Sequence, residues 1–391
     1  MRLISSLLLV AVAVLSPVTM ADFAAKSGEF AADLYTKVID GKDGENVIIS
    51  PFSVQTCVGL AYAGAGGVTA EEMAKGLRLT SNDRDEVAKS FGQVLDSYST
   101  NPLLKIANKV YIKTGYTLKP QFNEIATKNF HSEAENINFA QKQESADKIN
   151  SWVEGKTNNK IKDLISADSL SDDTRCVLVN AIYFKGFWDR QFEKEQTQKE
   201  DFWISETENV KVDMMNMNHK FKYGEFADLD ASAVELPYKD SDLSMLIILP
   251  NTKTGLKALE SKFSTINIAE MSKNMYKSEV NLKLPRFKIE FSMKLNEPLK
   301  KMGMTSMFSG ADFSNLLEQP EPLKVSEVVH KAFIEVNEEG AEAAAATGLG
   351  VMLRSRPLPR QLAYFYADHP FIFFLKSPTE ILFAGRYLKP Q

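Results

Sequence analysis

The side chains that most often do chemistry are few and scattered. His131, His219, His330 and His369 stand far apart, and none lies in an H-E-x-x-H or similar spacing, so no zinc or other metal site is expected. No G-x-S-x-G elbow occurs, which leaves a serine hydrolase without a nucleophile. Gly-Ala-Gly-Gly at 64–67 lacks the Lys-Ser/Thr of a phosphate loop and follows a helical pattern, so it marks a helix end. The two cysteines, Cys57 and Cys176, have no Cys-x-x-Cys spacing. They allow one bridge or two free thiols, and their apolar settings (QTCVGLAY, TRCVLVNA) favour plain buried thiols. An enzyme is therefore not expected, nor is a cofactor.

Composition sets the class of chain that must hold these residues. With 391 residues, 44% hydrophobic and 25% charged, it is long enough for one large core or two modest ones. A net charge of -5 gives no reason to expect nucleic acid or an anionic membrane as partner. At the start, Arg2 precedes an apolar stretch from Leu3 to Leu15, then Ser16-Pro17 and small residues ending at Ala21. This is the pattern of a secretory signal peptide over 1–21, and a membrane anchor would need about 18 or more continuous apolar residues. The expectation is a secreted, extracellular chain of one domain over 22–391. It has no Asn-x-Ser/Thr acceptor for N-glycans.

The elements follow from periodicity and capping. ENVIIS reads as a short strand leading into a helix capped by Ser50, with Pro51 at its first position; that helix is apolar nearly all round, hence internal. Amphipathic helices are expected around Thr69–Leu77 and Asn82–Tyr98, and a surface helix over 145–165. LKIANKVYIK alternates as a half-buried strand, whereas TRCVLVNAIYFKGFW is apolar on both parities, as a strand covered on both faces would be. AVELPYKDSDLSMLIILP reads as a hairpin turning at KDSD, and in VNLKLPRFKIEF the alternation slips at Pro285, as a bulge or bend requires. Strands and helices intermix without a regular βαβ beat, so the fold class is mixed α+β rather than a doubly wound parallel sheet.

One segment resists this reading. EEGAEAAAATGLG at 338–350 holds the strongest helix-forming run in the chain, yet both neighbours, HKAFIEV and FYADHPFIFFL, have the character of strands. Gly340 before it and two glycines after it make a stable helix of this length marginal.

Several stretches together resemble the serpin family: NVIISPFS at 46–53, INSWVEGKTNNKIKDLI at 149–165, VLVNAIYFKGFWDRQF at 177–192, KVSEVVHKAFIEVNEEGAEAAAAT, and HPFIFFLKSPTEILFAGRYLKP. They cover nearly the whole chain after residue 21, and the wording is similar to secreted arthropod members. The resemblance implies one domain of about nine helices and three β-sheets, with an exposed reactive-centre loop at about 338–362.

It also implies why the alanines are there. In serpins the hinge of the loop, matched here by Glu338, Glu339, Gly340, Ala341, Glu342, Ala343, Ala344, Ala345, Ala346 and Thr347, inserts into the largest sheet after a protease cuts further along. A strand entering a packed sheet needs small inward side chains. Alternation puts Ala341, Ala343, Ala345, Thr347, Leu349 and Val351 on one face, so the only charge, Glu342, falls on the other. The reactive bond, sixteen residues beyond the first hinge glutamate, matches Arg354-Ser355. Arg354 suits the acidic pocket of a trypsin-like serine protease, while Arg356 is a poorer bait because Pro357 follows it.

Residue by residue, Ser50, Ser53, Asn180 and His330 match the family's shutter, a polar cluster under the centre of the main sheet, and Trp188 matches the breach, where the loop first enters. The expected function is suicide-substrate inhibition. The protease is the covalent partner, and the inhibitor is a monomer until that complex forms. The alternative within the family is a non-inhibitory carrier or storage protein whose loop is cleaved only as a substrate.

Overall fold

A computed structural model describes residues 20–319, 321–340 and 362–390. Nine α-helices and fourteen strands occur among the described residues. The first element among the described residues is helix α1 (Met20–Ile39), and the expected leader boundary after Ala21 lies within its range. Strand β1 (Val47–Ile49) then feeds helix α2 (Pro51–Gly64). The Ser50 hydroxyl accepts the Ser53 N–H and Pro51 supplies the first position, as the sequence predicts, and every residue of α2 is buried. Gly66 and Gly67 form the junction to α3 (Gly67–Gly76), which is the helix end read from the glycine cluster.

The central element is a five-stranded sheet in the order β10 (Phe287–Lys294), β11 (Glu327–Val336), β4 (Cys176–Phe184), β2 (Leu104–Lys113), β3 (Ala134–Ile137). All nine residues of β4 are buried. Cys176, Leu178, Ile182 and Phe184 join the main core with α2, while Val177, Val179, Ala181 and Tyr183 join a second core beneath helix α6 (Lys142–Lys156). That double coverage is why the strand reads as an unbroken apolar run. The surface helix expected over 145–165 is shorter than its apolar stripe suggests. It stops at Lys156, because Asn158, Asn159 and Asp163 adopt left-handed backbone, and the rest of the stripe packs as irregular chain.

A second network of nine strands runs β1, β14 (Ile381–Tyr387), β13 (Phe371–Lys376), β8 (Ser244–Pro250), β7 (Ala231–Pro237), β6 (Asn209–Phe226), β9 (Tyr276–Pro285), β12 (Ala363–Tyr366), with β5 (Gln198–Trp203) also on β6. The long β6 pairs with β5 along its first part and β7 along its last, so it joins two sub-sheets and completes the three sheets of the expected fold. β7 and β8 are the hairpin, turning through left-handed Asp240. The slip at Pro285 is a change of sheet: β9 pairs with β6, and one residue on, β10 pairs with β11. Cys57 and Cys176 are both free and buried.

Helices α4 (Arg84–Ser99) and α5 (Pro120–Phe130) pack on α2, and α7 (Leu256–Ser261), α8 (Ile268–Lys273) and α9 (Asn296–Lys301) sit in the later connections. No helix among the described residues is long and apolar enough to cross a membrane.

Candidate functional site

Two places in the five-stranded sheet gather the singled-out residues, and both are set by strand register. Near its centre, β11 and β4 pair directly and in parallel, with His330 opposite Asn180; on the other edge of β4, Asn180 lies opposite Asn108 of β2. The three polar side chains form a row on the face toward α2, at positions whose neighbours two residues away are apolar core.

The row is closed by hydrogen bonds from the start of α2. Asn180 Nδ2 donates to Ser53 Oγ at 2.6 Å and to Asn108 Oδ1 at 2.6 Å. Ser53 Oγ also donates to Asn108 Oδ1 at 3.2 Å. The Ser50 N–H donates to His330 Nε2 at 3.2 Å, so the ring's proton sits on Nδ1 and is donated to Asn180 Oδ1. Ser50 Oγ donates to the Leu382 carbonyl at 2.6 Å. His330, Asn180, Ser50 and Ser53 are all fully buried. Burial holds the His330 pKa down to about 3, which fixes the neutral ring that this pattern needs.

All four shutter matches therefore meet. Asn108, which sequence reading missed, is a full member, and its signal was there: in LKIANKVYIK it takes an inward position that Leu104, Val110 and Ile112 fill with apolar side chains.

The second place is the end of β11. Asn337 to Gly340 form a closed turn, in which the Asn337 N–H donates to the Gly340 carbonyl at 2.9 Å and Asn337 Oδ1 accepts the N–H groups of Glu339 and Gly340 at 3.0 and 3.1 Å. The connection after β4 holds this turn. Trp188, 1% exposed, donates its N–H to the Glu339 carbonyl at 2.9 Å and its Nε1–H to the Asn337 carbonyl at 2.9 Å. Its ring stacks on Tyr238 at 4.5 Å between centroids. The Phe192 N–H donates to the Glu338 carbonyl at 2.8 Å, and Gly340 makes an antiparallel bridge with Phe187.

Both hinge glutamates are buried and tethered rather than exposed. Glu338 Oε1 accepts from Thr197 Oγ1 at 2.8 Å with Arg286 at 3.8 Å, and Glu339 Oε1 pairs with Lys194 at 2.5 Å, which raises the lysine's pKa. Gly340 has φ +136°, and a Cβ there would lie 2.1 Å from the Gly186 carbonyl oxygen, so glycine is required twice over. Arg354 and Ser355, with the hinge residues Ala341, Glu342, Ala343, Ala344, Ala345, Ala346 and Thr347, lie outside the described residues. Among the described residues no group of three or more His, Cys, Asp or Glu could hold a metal ion.

A buried polar row thus lies beneath the parallel pair of β4 and β11 in the five-stranded sheet, and a closed, tethered turn stands at the end of β11. The chain belongs to the serpin family: the family model described as "Serpin (serine protease inhibitor)" matches residues 25–390. Among its relatives is "Serine protease inhibitor 42Dd" of Drosophila melanogaster, 39% identical over 92% of this chain and 95% of that protein. Among solved structures, cleaved Serpin 42Da is 46% identical, covers 95% of this chain and 99% of its own, and superposes with a TM-score of 0.87. Human thyroxine-binding globulin complexed with its ligand is 26% identical over 96% of this chain and all of its own, also with a TM-score of 0.87.

Proposed function

We propose that this chain is a secreted suicide-substrate inhibitor of trypsin-like serine proteases, cleaved between Arg354 and Ser355. One observation carries the reading: β4 and β11 are in direct parallel contact from Glu327 opposite Val177 to Phe333 opposite Tyr183, while the hinge turn waits at their upper end. A strand returning from Gly340 between them runs antiparallel to both, and the Gly340 bridge to Phe187 is its first rung. One parallel ladder is then replaced by two antiparallel ones, which pair slightly more strongly per residue. The uninserted sheet is held above its better-paired state by a kinetic barrier, as the mechanism requires.

The same register supports the parity of the hinge. Continued down β4, it sets Ala343 opposite Phe184 and Thr347 opposite Asn180, with the odd-numbered side chains facing the main core. Only small groups fit there, and Thr347 brings a hydroxyl to the polar row.

Chemically, the protease's serine attacks the Arg354 carbonyl carbon and the bond to the Ser355 nitrogen breaks. The acyl-enzyme forms, and the segment beginning at Ser355 leaves as a new amine. Ala341 to Arg354 is 14 residues. As a strand they carry the attached protease about 45 Å. The fold contributes no catalytic group of its own; it contributes insertion faster than deacylation.

Trypsin mixed with the protein tests this. A covalent adduct that survives boiling in detergent, with release of a peptide starting at Ser355 by mass spectrometry, supports the inhibitor. Quantitative cleavage without adduct supports the carrier or storage reading instead, and a peptide starting at Pro357 moves the bait to Arg356.

A further inference from the structure

Glu380 ends the turn between β13 and β14 and is 2% exposed, yet neither carboxyl oxygen has a hydrogen-bond partner. The turn itself is well made. Its Ser377 and Glu380 exchange backbone and hydroxyl contacts at 2.9 Å, and Tyr98 of α4 donates its OH to Ser377 Oγ at 2.8 Å.

No ion pair among the described residues reaches the carboxyl: of the charged groups that line the same cavity, Lys273 pairs with Glu270 at 2.7 Å and Glu29 is itself an acid paired with Lys26. Ser27 of α1 lies near enough to lower the carboxyl's pKa against the larger effect of burial, but its hydroxyl is donated to Gln55 Oε1 at 2.6 Å. Tyr98 is committed to Ser377, and Asp242, in the β7–β8 turn, adds a second negative charge near Tyr98. Lys376, on the same turn, pairs with Glu235 of β7 at 3.2 Å, and Lys26 of α1 pairs with Glu29. An ionised carboxylate here is stranded, so burial raises its pKa to about 7.

An outlet lies alongside. A cavity of about 570 Å³ opens between the small-residue side of α1 (Ala24, Ala25, Gly28), the segment 264–273 and the turn that carries Glu380.

We propose that Glu380 is a proton-operated seat for α1: protonated, its carboxyl stays beneath the helix; ionised, it turns out into this cavity and the helix loosens on the turn. The proton goes to solvent and no other bond changes. The sign follows from the two environments. Once exposed, the acid ionises near 4.5, whereas in its seat it holds its proton to about 7, so opening releases a proton in that window. The seat is firm in acid, weakens as pH rises between these values and is weakest above 7.

Native-state hydrogen exchange, corrected for the intrinsic rate, tests this over residues 23–32 and 376–381 from pH 4.5 to 8. The opening constant should rise roughly tenfold per pH unit up to about 7 and then level off. Glu380→Gln should abolish the rise, and Ala24→Leu, which narrows the outlet, should suppress it. A flat profile in the wild type overturns the proposal, as does a rise that persists in either variant. Should Glu380→Gln not fold, the wild-type and Ala24→Leu profiles still decide.

Discussion

His330 and Asn180 face each other across the parallel β11–β4 pair, joined Nδ1–H to Oδ1, with the opposite ring nitrogen of His330 accepting the Ser50 N–H. Nε2 is the one ring nitrogen left to protonate, and a proton there would set it against the Ser50 N–H, donor against donor. The contact therefore ties β4 and β11, the pair that the proposed insertion would part, to a histidine held neutral by burial.

Acid should loosen this tie. The folded His330 resists protonation until about pH 3, while the unfolded chain takes up its proton near 6.5. Stability from this group is complete above 6.5 and falls as pH drops below it, by about 1.4 kcal/mol per unit. Denaturant midpoints for the wild type should decline from pH 7 to 5 more steeply than those of His330→Gln. Equal slopes would remove the neutral ring from the explanation.

Asn180→Ala should orphan His330 Nδ1–H and take one hydrogen bond each from Ser53 and Asn108, which keep their own contact at 3.2 Å. The expected loss is about 2–4 kcal/mol for a buried network deprived of its centre. Incubated intact protein should also convert faster to a form that no longer binds trypsin. Loss of stability without faster conversion would mean that the row supports the core without gating the strands.

Gly340→Ala brings a methyl group against the Gly186 carbonyl at a backbone angle that alanine avoids. Strain of about 1–3 kcal/mol should lower the melting temperature of the intact protein. After cleavage, with the turn unrolled into a strand, the variant should match the wild type. An equal drop in both forms would place the cost outside the hinge turn.

Much of this was legible in the sequence for identifiable reasons. Ser50 and Pro51 announce α2 because capping is local, and the apolar run of β4 announces burial on both faces because it is a property of one strand. Helix α6 was overextended because the apolar side chains of 157–165 are needed for packing whether or not they are helical, and only the left-handed backbone at Asn158 and Asn159 ends it. Pro285 signalled a break, but that the break moves the chain from one sheet to another depends on distant partners. Asn108 was overlooked because its role exists only in register with Asn180. The tethering of Glu338 and Glu339 by Thr197, Arg286 and Lys194 is likewise a tertiary fact, invisible in a stretch that reads as an exposed acidic hinge.

Ala343→Arg should turn inhibitor into substrate, because continuing the Gly340–Phe187 register sets residue 343 beside Phe184 on the core face. Trypsin should cleave the variant at the same bond and at a similar rate, with adduct yield falling at least several-fold as deacylation outruns insertion. Glu342→Arg, on the opposite parity, should be far milder. Equal effects of the two would mean the side chains do not alternate as a strand.

The most direct measurement is the thermal stability of the protein before and after a single cut at Arg354-Ser355, with the two pieces kept together. Insertion of the severed segment between β4 and β11 should leave the cleaved molecule folded at temperatures where the intact one has unfolded. A cleaved form that melts with the intact form, or below it, would contradict insertion and with it the inhibitory mechanism.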